Sequence, residues 1–273
     1  MKLSIITINK DNAEGLRRTM ESVLAQTCKD FEYIVVDGAS TDGSVQVMEE
    51  LASRIQAAGI PTDAVSEPDT GLYNAMNKGV RKAKGEYTLM LNSGDWFVDE
   101  HVVEKVLPQL DGTDIVQGNV IRLRDGKQVL DRGYGRSEID FIDVQKGHFL
   151  HQASFVRRDL FDKVGYFDES YQIHADTVFY IQSLGYQDAS FKYVDYPIAF
   201  FEGNGRSSET NSVWAMTCEK EYQRWTSELF SRRLWDTCVE YDKKGRLYDK
   251  LHRHNWAWNC VMALSRIIDW SER

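Results

Sequence analysis

The chain has 273 residues, with 33 Lys and Arg against 42 Asp and Glu and a formal net charge of −9. Apolar residues make up 42% and charged residues 27%, a balance that excludes a disordered, collagenous or multi-span membrane chain. The acidic surplus argues against nucleic acid as a partner, and the length suits one large α/β domain with an appendage or two small domains.

Residues 3–8 form a short β-rich apolar run, which predicts a strand buried on both faces. Asp11 and Glu14 have the spacing of a capping box, and Leu16, Met20, Val23 and Leu24 follow at helical intervals. Residues 31–36 read as a second buried strand closed by Asp37-Gly38. Asp42, ahead of Gly43-Ser44, reads as a helix N-terminus, and Val45, Met48, Leu51, Ala52 and Ile55 give a helix stopped by Gly59 and Pro61. A short strand near Ala64-Val65, a helical stripe over 72–83 ended by Gly85, and a strand over 87–91 complete the order β-α-β-α-β-α-β. That alternation predicts an α/β fold with a largely parallel, doubly wound sheet. Ligands of such sheets sit beyond the carboxyl ends of the strands, where Asp37, Glu67 and Asp95 stand.

Past Asp95 the pattern changes. Residues 114–123 and 127–130 flank Asp125-Gly126, a hairpin signal. Residues 148–155 read as extended, 157–164 as a short helix, 176–184 as a helix and 191–201 as strand segments around Pro197; the chain reads as helical from Glu209 onward. His148, His151 and His174 have no helical i, i+4 spacing and read as polar lining or core rather than zinc ligands. Cys28, Cys218, Cys238 and Cys260 form no C-x-x-C pair, so reduced thiols in a cytoplasmic protein are expected. The apolar run over 3–8 is too short for a signal peptide, and no stretch approaches the roughly 20 apolar residues that span a bilayer.

Several motifs stand in order: Ser4-Ile5-Ile6-Thr7 with Asn9; Val35-Val36-Asp37-Gly38-Ala39-Ser40-Thr41-Asp42-Gly43; Ser66-Glu67-Pro68-Asp69 with Gly71 and Tyr73; and Ala75-Met76-Asn77-Lys78-Gly79. Leu91-Asn92-Ser93-Gly94-Asp95, His151-Gln152 and Gly165-Tyr166-Phe167-Asp168-Glu169 follow. Together, over roughly residues 1–208, they resemble family 2 glycosyltransferases of GT-A fold, more closely the bacterial enzymes that build capsule, lipopolysaccharide and colanic-acid repeat units. The resemblance implies a Rossmann-like, mostly parallel central sheet flanked by helices. It assigns 1–95 to the nucleotide-sugar half, 96–208 to the acceptor half and 209–273 to a C-terminal helical extension. It further implies a nucleoside-diphosphate sugar donor of UDP or GDP type, a divalent Mn²⁺ or Mg²⁺, and inverting transfer to a hydroxyl of a surface-polysaccharide or lipid-linked glycan acceptor.

The same likeness assigns residues. Asp37 corresponds to the family's aspartate that accepts a hydrogen bond from nucleobase or ribose, a task for an acceptor-only carboxylate; a turn-capping Asp is the plainer alternative. Thr7, Asn9 and Asp69 fall on the donor side. Lys78 and Arg206 are candidates for phosphate, each set against an ordinary solvated side chain. Asn92-Ser93-Gly94-Asp95 stands where the family carries Asp-x-Asp. Asp95 is the metal ligand there, with Asn92 or Ser93 assisting, although only one carboxylate is kept. Asp176 is the general base; it follows Ala175 where family members commonly carry Glu. His151, Gln152 and His174 line the acceptor side.

Glu221-Tyr222-Gln223-Arg224-Trp225 resembles the Gln-x-x-Arg-Trp motif of processive members, but it begins with Glu and lacks their transmembrane helices, against a processive polymerase. Residues 243–273 hold seven Lys and Arg against three Asp and Glu, with Trp256, Trp258 and Trp270. Two readings stay open: peripheral contact with the inner face of the cytoplasmic membrane, or packing on the catalytic domain or a second subunit. A homo-oligomer stays open too. A nucleotidyltransferase-like α/β enzyme is disfavoured because no glycine precedes Gly15 after the first strand. A sugar-nucleotide-binding scaffold has no need of Asp176 beside Asp95.

Overall fold

The computed structural model describes residues 1–124, 126–202 and 212–252. Arg206 and the tryptophans of the basic tail lie outside them. The first half runs β1 (Leu3–Asn9), α1 (Ala13–Leu24), β2 (Glu32–Asp37), α2 (Ser44–Ala57), β3 (Thr62–Ser66), α3 (Leu72–Lys82) and β4 (Tyr87–Met90). β1, β2 and β4 are buried along their whole lengths, as runs without polar alternation require. The order is β3-β2-β1-β4, every pair parallel, with Asn9 opposite Asp37 and Asp37 opposite Ser66. That register gathers three polar side chains at one edge.

The second half runs β5 (Asp95–Phe97), α4 (Val102–Val106), β6 (Ile115–Arg124), β7 (Lys127–Asp131), α5 (Phe141–Gln145), β8 (Ser154–Arg157), α6 (Arg158–Val164), α7 (Ala175–Tyr186) and β9 (Phe191–Phe201). β8 joins β4 antiparallel and carries the sheet on through β6, β9 and β5, with β7 folded back on β6. β6 and β9 are parallel, and their register shifts between Gln117 and Val120, beside Pro197. A proline has no N–H for the ladder and is tolerated at such a bulge.

Leu3, Ile5, Tyr33 and Val35 pack with Leu16, Met20, Met48 and Leu51 of α1 and α2 in one fully apolar core. α3 covers the opposite face. A Cβ on its Gly79 would lie 2.4 Å from Ile6, so glycine is what lets the helix sit this close to β1. The chain divides into two compact units, Met1–Tyr222 and the remainder from Gln223, with the boundary inside α8 (Ser212–Leu229), which is followed by α9 (Arg232–His252). In the second unit Trp225, Phe230 and Trp235 form an aromatic cluster with centroids 5.3 to 6.3 Å apart. Among the described residues no helix is long and apolar enough to cross a membrane.

Three local expectations are corrected. Asn12, not Asp11, caps α1: its Oδ1 accepts from Gly15 N at 3.2 Å, while Asp11 sits at φ 48° and accepts from Thr41 N. Residues 148–153 are not extended, because Ala153 N and Ser154 Oγ both close onto the Leu150 carbonyl, and the strand starts only at Ser154. α7 begins at Ala175 with His174 as its cap residue, which puts Asp176 inside the first turn.

Candidate active site

The parallel strands end in a polar cluster organised by Asp37. Its side chain is fully buried. Oδ1 accepts from Asn9 Nδ2 at 2.7 Å and Ser40 Oγ at 2.6 Å; Oδ2 accepts from Ser40 N at 2.9 Å and Ser66 Oγ at 2.6 Å. Burial alone would raise its pKa, but these four donors outweigh it and hold the carboxyl below the usual value. One carboxylate thus ties the ends of β1, β2 and β3, and its four acceptor positions are filled. Asn9 is buried with it. Thr7 lies deeper, fully buried, donating to the Leu91 carbonyl and accepting from Tyr33 OH. Asp69 reaches this cluster from the next loop: a Cβ on Gly38 would fall 2.2 Å from Asp69 Oδ2, while Asp69 Oδ1 accepts from Gly71 N. Lys78 is engaged rather than free, with Nζ 2.9 Å from Glu67 Oε1 and 2.8 Å from the Pro68 carbonyl.

Between β4 and β5, residues 92–95 form a tight turn. Asp95 N donates to the Asn92 carbonyl, Gly94 has φ 99°, and Thr19 Oγ1 holds the turn from α1 by donating to the Asp95 carbonyl and accepting from Gly94 N. Ser93 packs here through Asn12 Nδ2. Asp95 is only 6% exposed, and among the described residues no hydrogen bond offsets the burial of its carboxyl. Burial therefore dominates and pushes its pKa up to about 7, against the opposing charges of His151 and Arg122 and with the added push of Glu202. Asn92 Oδ1 is likewise buried without a partner. A buried carboxylate and a buried amide oxygen that lack donors are the hard-oxygen chemistry of a divalent cation, so these residues fit one. Among the described residues no group of three His, Cys, Asp or Glu forms a cage. Mg²⁺-type sites do not need one, because they commonly use one or two carboxylates together with substrate phosphates.

The third component is Asp176 in the first turn of α7. Its Oδ2 lies 3.2 Å from His151 Nδ1; its Oδ1 accepts from Thr177 N at 2.9 Å and from Tyr73 OH at 3.0 Å. The Tyr73 hydroxyl also contacts the Ile173 carbonyl. Burial raises the Asp176 pKa, but the bond and charge of His151, then Thr177 N and Tyr73, prevail and hold it low. Burial lowers the pKa of His151, and here the Asp176 bond and the charges of Asp176 and Asp95 overcome it and raise the value. His151 thus faces two buried carboxylates, an ionised one on α7 and an unpaired one at the start of β5. Gln152 is buried beside it in the same turn. His174 lies at the cap of α7, with Nε2 3.4 Å from Cys218 Sγ.

Asp95, His151 and Asp176 are therefore drawn to one centre, with Gln152 next to His151 in its turn, and Asn9, Asp37 and Asp69 gather at the ends of the parallel strands. Two residues named in the sequence also make contacts across the chain that their motifs do not announce. Tyr73 is a helix residue with ordinary apolar spacing, and it meets Asp176 across 103 residues of chain. Asp42 serves two helices at once, accepting from Ser44 N and from Ala13 N.

Residues 4–165 match the family described as Glycosyl transferase family 2. A PGL/p-HBAD biosynthesis glycosyltransferase of Mycobacterium bovis (strain BCG / Pasteur 1173P2) is 30% identical over 210 residues, 76% of this chain and 79% of the relative. An uncharacterized glycosyltransferase of Mycobacterium tuberculosis (strain ATCC 25618 / H37Rv) is 34% identical over 190 residues, 66% of this chain and 68% of its own length. Among solved structures, S. aureus TarS 1-349 in complex with UDP-GlcNAc aligns with a TM-score of 0.64 at 18% identity, covering 84% of this chain and 73% of that one. The mannosyltransferase PcManGT from Pyrobaculum calidifontis, in complex with GDP-Man and Mn²⁺, aligns with a TM-score of 0.61 at 18% identity, covering 83% and 63%. At such identities the structural likeness carries the GT-A fold alone. The family match and the mycobacterial relatives carry the rest: this chain belongs to glycosyl transferase family 2 and is a glycosyltransferase.

Proposed function

We propose that the chain moves one sugar, with inversion, from a nucleoside-diphosphate sugar of UDP or GDP type to a hydroxyl of a surface-polysaccharide or lipid-linked glycan, working in the cytoplasm or at the inner membrane face. The observation that carries the proposal is the pair of buried carboxylates flanking His151, with Asp176 held ionised and Asp95 left without a donor. Inversion needs one proton acceptor opposite the leaving group and one place where leaving diphosphate charge is met. The pair supplies one of each. TarS solved with UDP-GlcNAc and PcManGT solved with GDP-Man and Mn²⁺ support a nucleotide-sugar donor and a divalent metal on this fold.

In this reading Asp69 and the loop braced by Asp37 and Asn9 receive the nucleoside, and Lys78 stiffens that loop from below. Asp95 with Asn92 Oδ1 would hold Mn²⁺ or Mg²⁺, and a bound metal would neutralise the leaving diphosphate. Ser93 lies on the donor side of the same turn. His151, Gln152 and His174 border the acceptor. Asp176 takes the acceptor proton at a carboxylate oxygen. A carboxylate held below its ordinary pKa cannot deprotonate a sugar hydroxyl in advance, so the proton leaves as the new C–O bond forms. His151, kept beside Asp176 by its Nδ1, fixes the orientation of that oxygen. A sugar-nucleotide-binding scaffold would gain nothing from this second carboxylate.

The proposal is tested by a panel of UDP-, GDP- and dTDP-sugars with Mn²⁺ or Mg²⁺, followed by thermal shift, nucleotide release and the anomeric configuration of the product. At least one donor is expected to raise the melting temperature in a metal-dependent way and to yield product of the opposite anomer. No stabilisation by any donor with either metal would overturn the donor reading. A retained anomer would overturn direct displacement with Asp176 as base.

A further inference from the structure

Glu221 lies on α8, 45 residues beyond Asp176, and is only 8% exposed. Its Oε1 accepts from Gln172 N at 2.6 Å, and its Oε2 accepts from Ile173 N at 3.0 Å and His174 N at 3.1 Å. Three consecutive backbone N–H groups thus converge on one carboxylate, the arrangement of a backbone nest around an anion. They are the three residues that lead into α7, so the charge also sits at the positive end of that helix. The same segment is held from its other side, because the Ile173 carbonyl meets the Tyr73 hydroxyl that reaches Asp176.

We infer that Glu221 is a positioning residue for the catalytic centre: it pins residues 172–174 and thereby sets where α7 presents Asp176 and how Tyr73 divides its hydroxyl between Ile173 and Asp176. The inference rests on the role proposed above for Asp176. It also gives Glu221, the first residue of the Glu221-Tyr222-Gln223-Arg224-Trp225 motif, a task within this chain. Substitution by an apolar residue leaves three N–H groups without their acceptor. An amide can satisfy fewer of them, because its NH₂ is itself a donor.

The test uses the full chain carrying Glu221→Gln or Glu221→Ala. Hydrogen exchange read by mass spectrometry is expected to accelerate about tenfold or more over 172–174, more in Ala than in Gln, with β1 to β4 unchanged. With a donor found active in the panel, kcat is expected to fall about 10- to 100-fold while the donor KM stays within about twofold. A merely structural role would instead lower the folded fraction and leave kcat per folded molecule intact. Unchanged exchange over 172–174 in Glu221→Ala overturns the pinning, and unchanged kcat despite faster exchange overturns the positioning. Glu221→Gln, with the same shape, keeps the exchange arm readable if the alanine variant does not fold. If the wild-type chain turns over no donor at all, the failure belongs to the proposed reaction, and the exchange arm still decides whether Glu221 pins the segment.

Discussion

Asp37 and Asp95 are both buried carboxylates at strand ends, yet they are held in opposite directions from the ordinary value. The difference is donors. Asp37 accepts four hydrogen bonds and stays ionised against its burial. Asp95 has no hydrogen bond to offset its burial among the described residues, and its pKa climbs to about 7. Each state suits a different task, a rigid brace in one case and a site waiting for a cation in the other. For Asp37 the sign of its pH dependence follows. A carboxyl with a lowered folded pKa contributes stability above its unfolded pKa, about 3.9, and loses it as pH falls through the lower folded value. Asp37→Asn is expected to cost about 1–3 kcal/mol near neutrality, by removing charge-assisted bonds and setting the amide NH₂ against the two donors that met that oxygen. Urea unfolding at pH 7 and at pH 3 checks this. The gap between wild type and variant should narrow at the acid end, and a gap that persists unchanged at pH 3 would contradict the brace.

At the scale of elements, the parts built on local periodicity were legible and the parts built on distant pairing were not. The β-α-β-α-β-α-β alternation was readable because each buried strand is a mostly apolar, β-rich run and each helix shows its stripe. The placement of Asp95 and Asp176 at the edges of a strand and a helix was legible, because a family motif meets each edge. One helix start differs from the sequence reading because a carboxylate works across the chain, Asp11 holding Thr41 while Asn12 caps α1; Asp42 stands at the start of α2 as the sequence reads and also holds the start of α1. Glu221 was seen as part of a motif but not as the anchor of residues 172–174, because nothing local in α8 points to a loop nearly fifty residues earlier. The contact between loops also yields a prediction. Gly38→Ala would place a Cβ 2.2 Å from Asp69 Oδ2. A carboxylate end can swing away, so stability should change by less than about 1 kcal/mol. Asp69 would then leave its place beside Gly38, and nucleotide affinity should fall about tenfold, or about 1.4 kcal/mol. Titration calorimetry with the free nucleoside diphosphate measures this; unchanged affinity would remove Asp69 from the donor site.

Over the whole molecule, the parallel half of the sheet and the mixed half meet at β4 and β8, and the candidate centre is gathered from the chain that follows that seam. Asp95 follows directly from the strand that ends the parallel half. His151 comes from the turn ahead of β8, and Asp176 from the helix two elements further on. The central claim is that these side chains divide the work, with Asp95 serving the donor diphosphate and Asp176 the acceptor proton. The most direct measurement is donor affinity and transfer rate, in parallel, for wild type, Asp95→Ala and Asp176→Asn. Asp176→Asn is predicted to bind donor within about threefold of wild type and to lose transfer by a factor of about 10² to 10⁴, whereas Asp95→Ala loses metal-dependent donor binding itself. Transfer by Asp176→Asn at a rate close to wild type, or metal-dependent donor binding undiminished in Asp95→Ala, would contradict the division of roles.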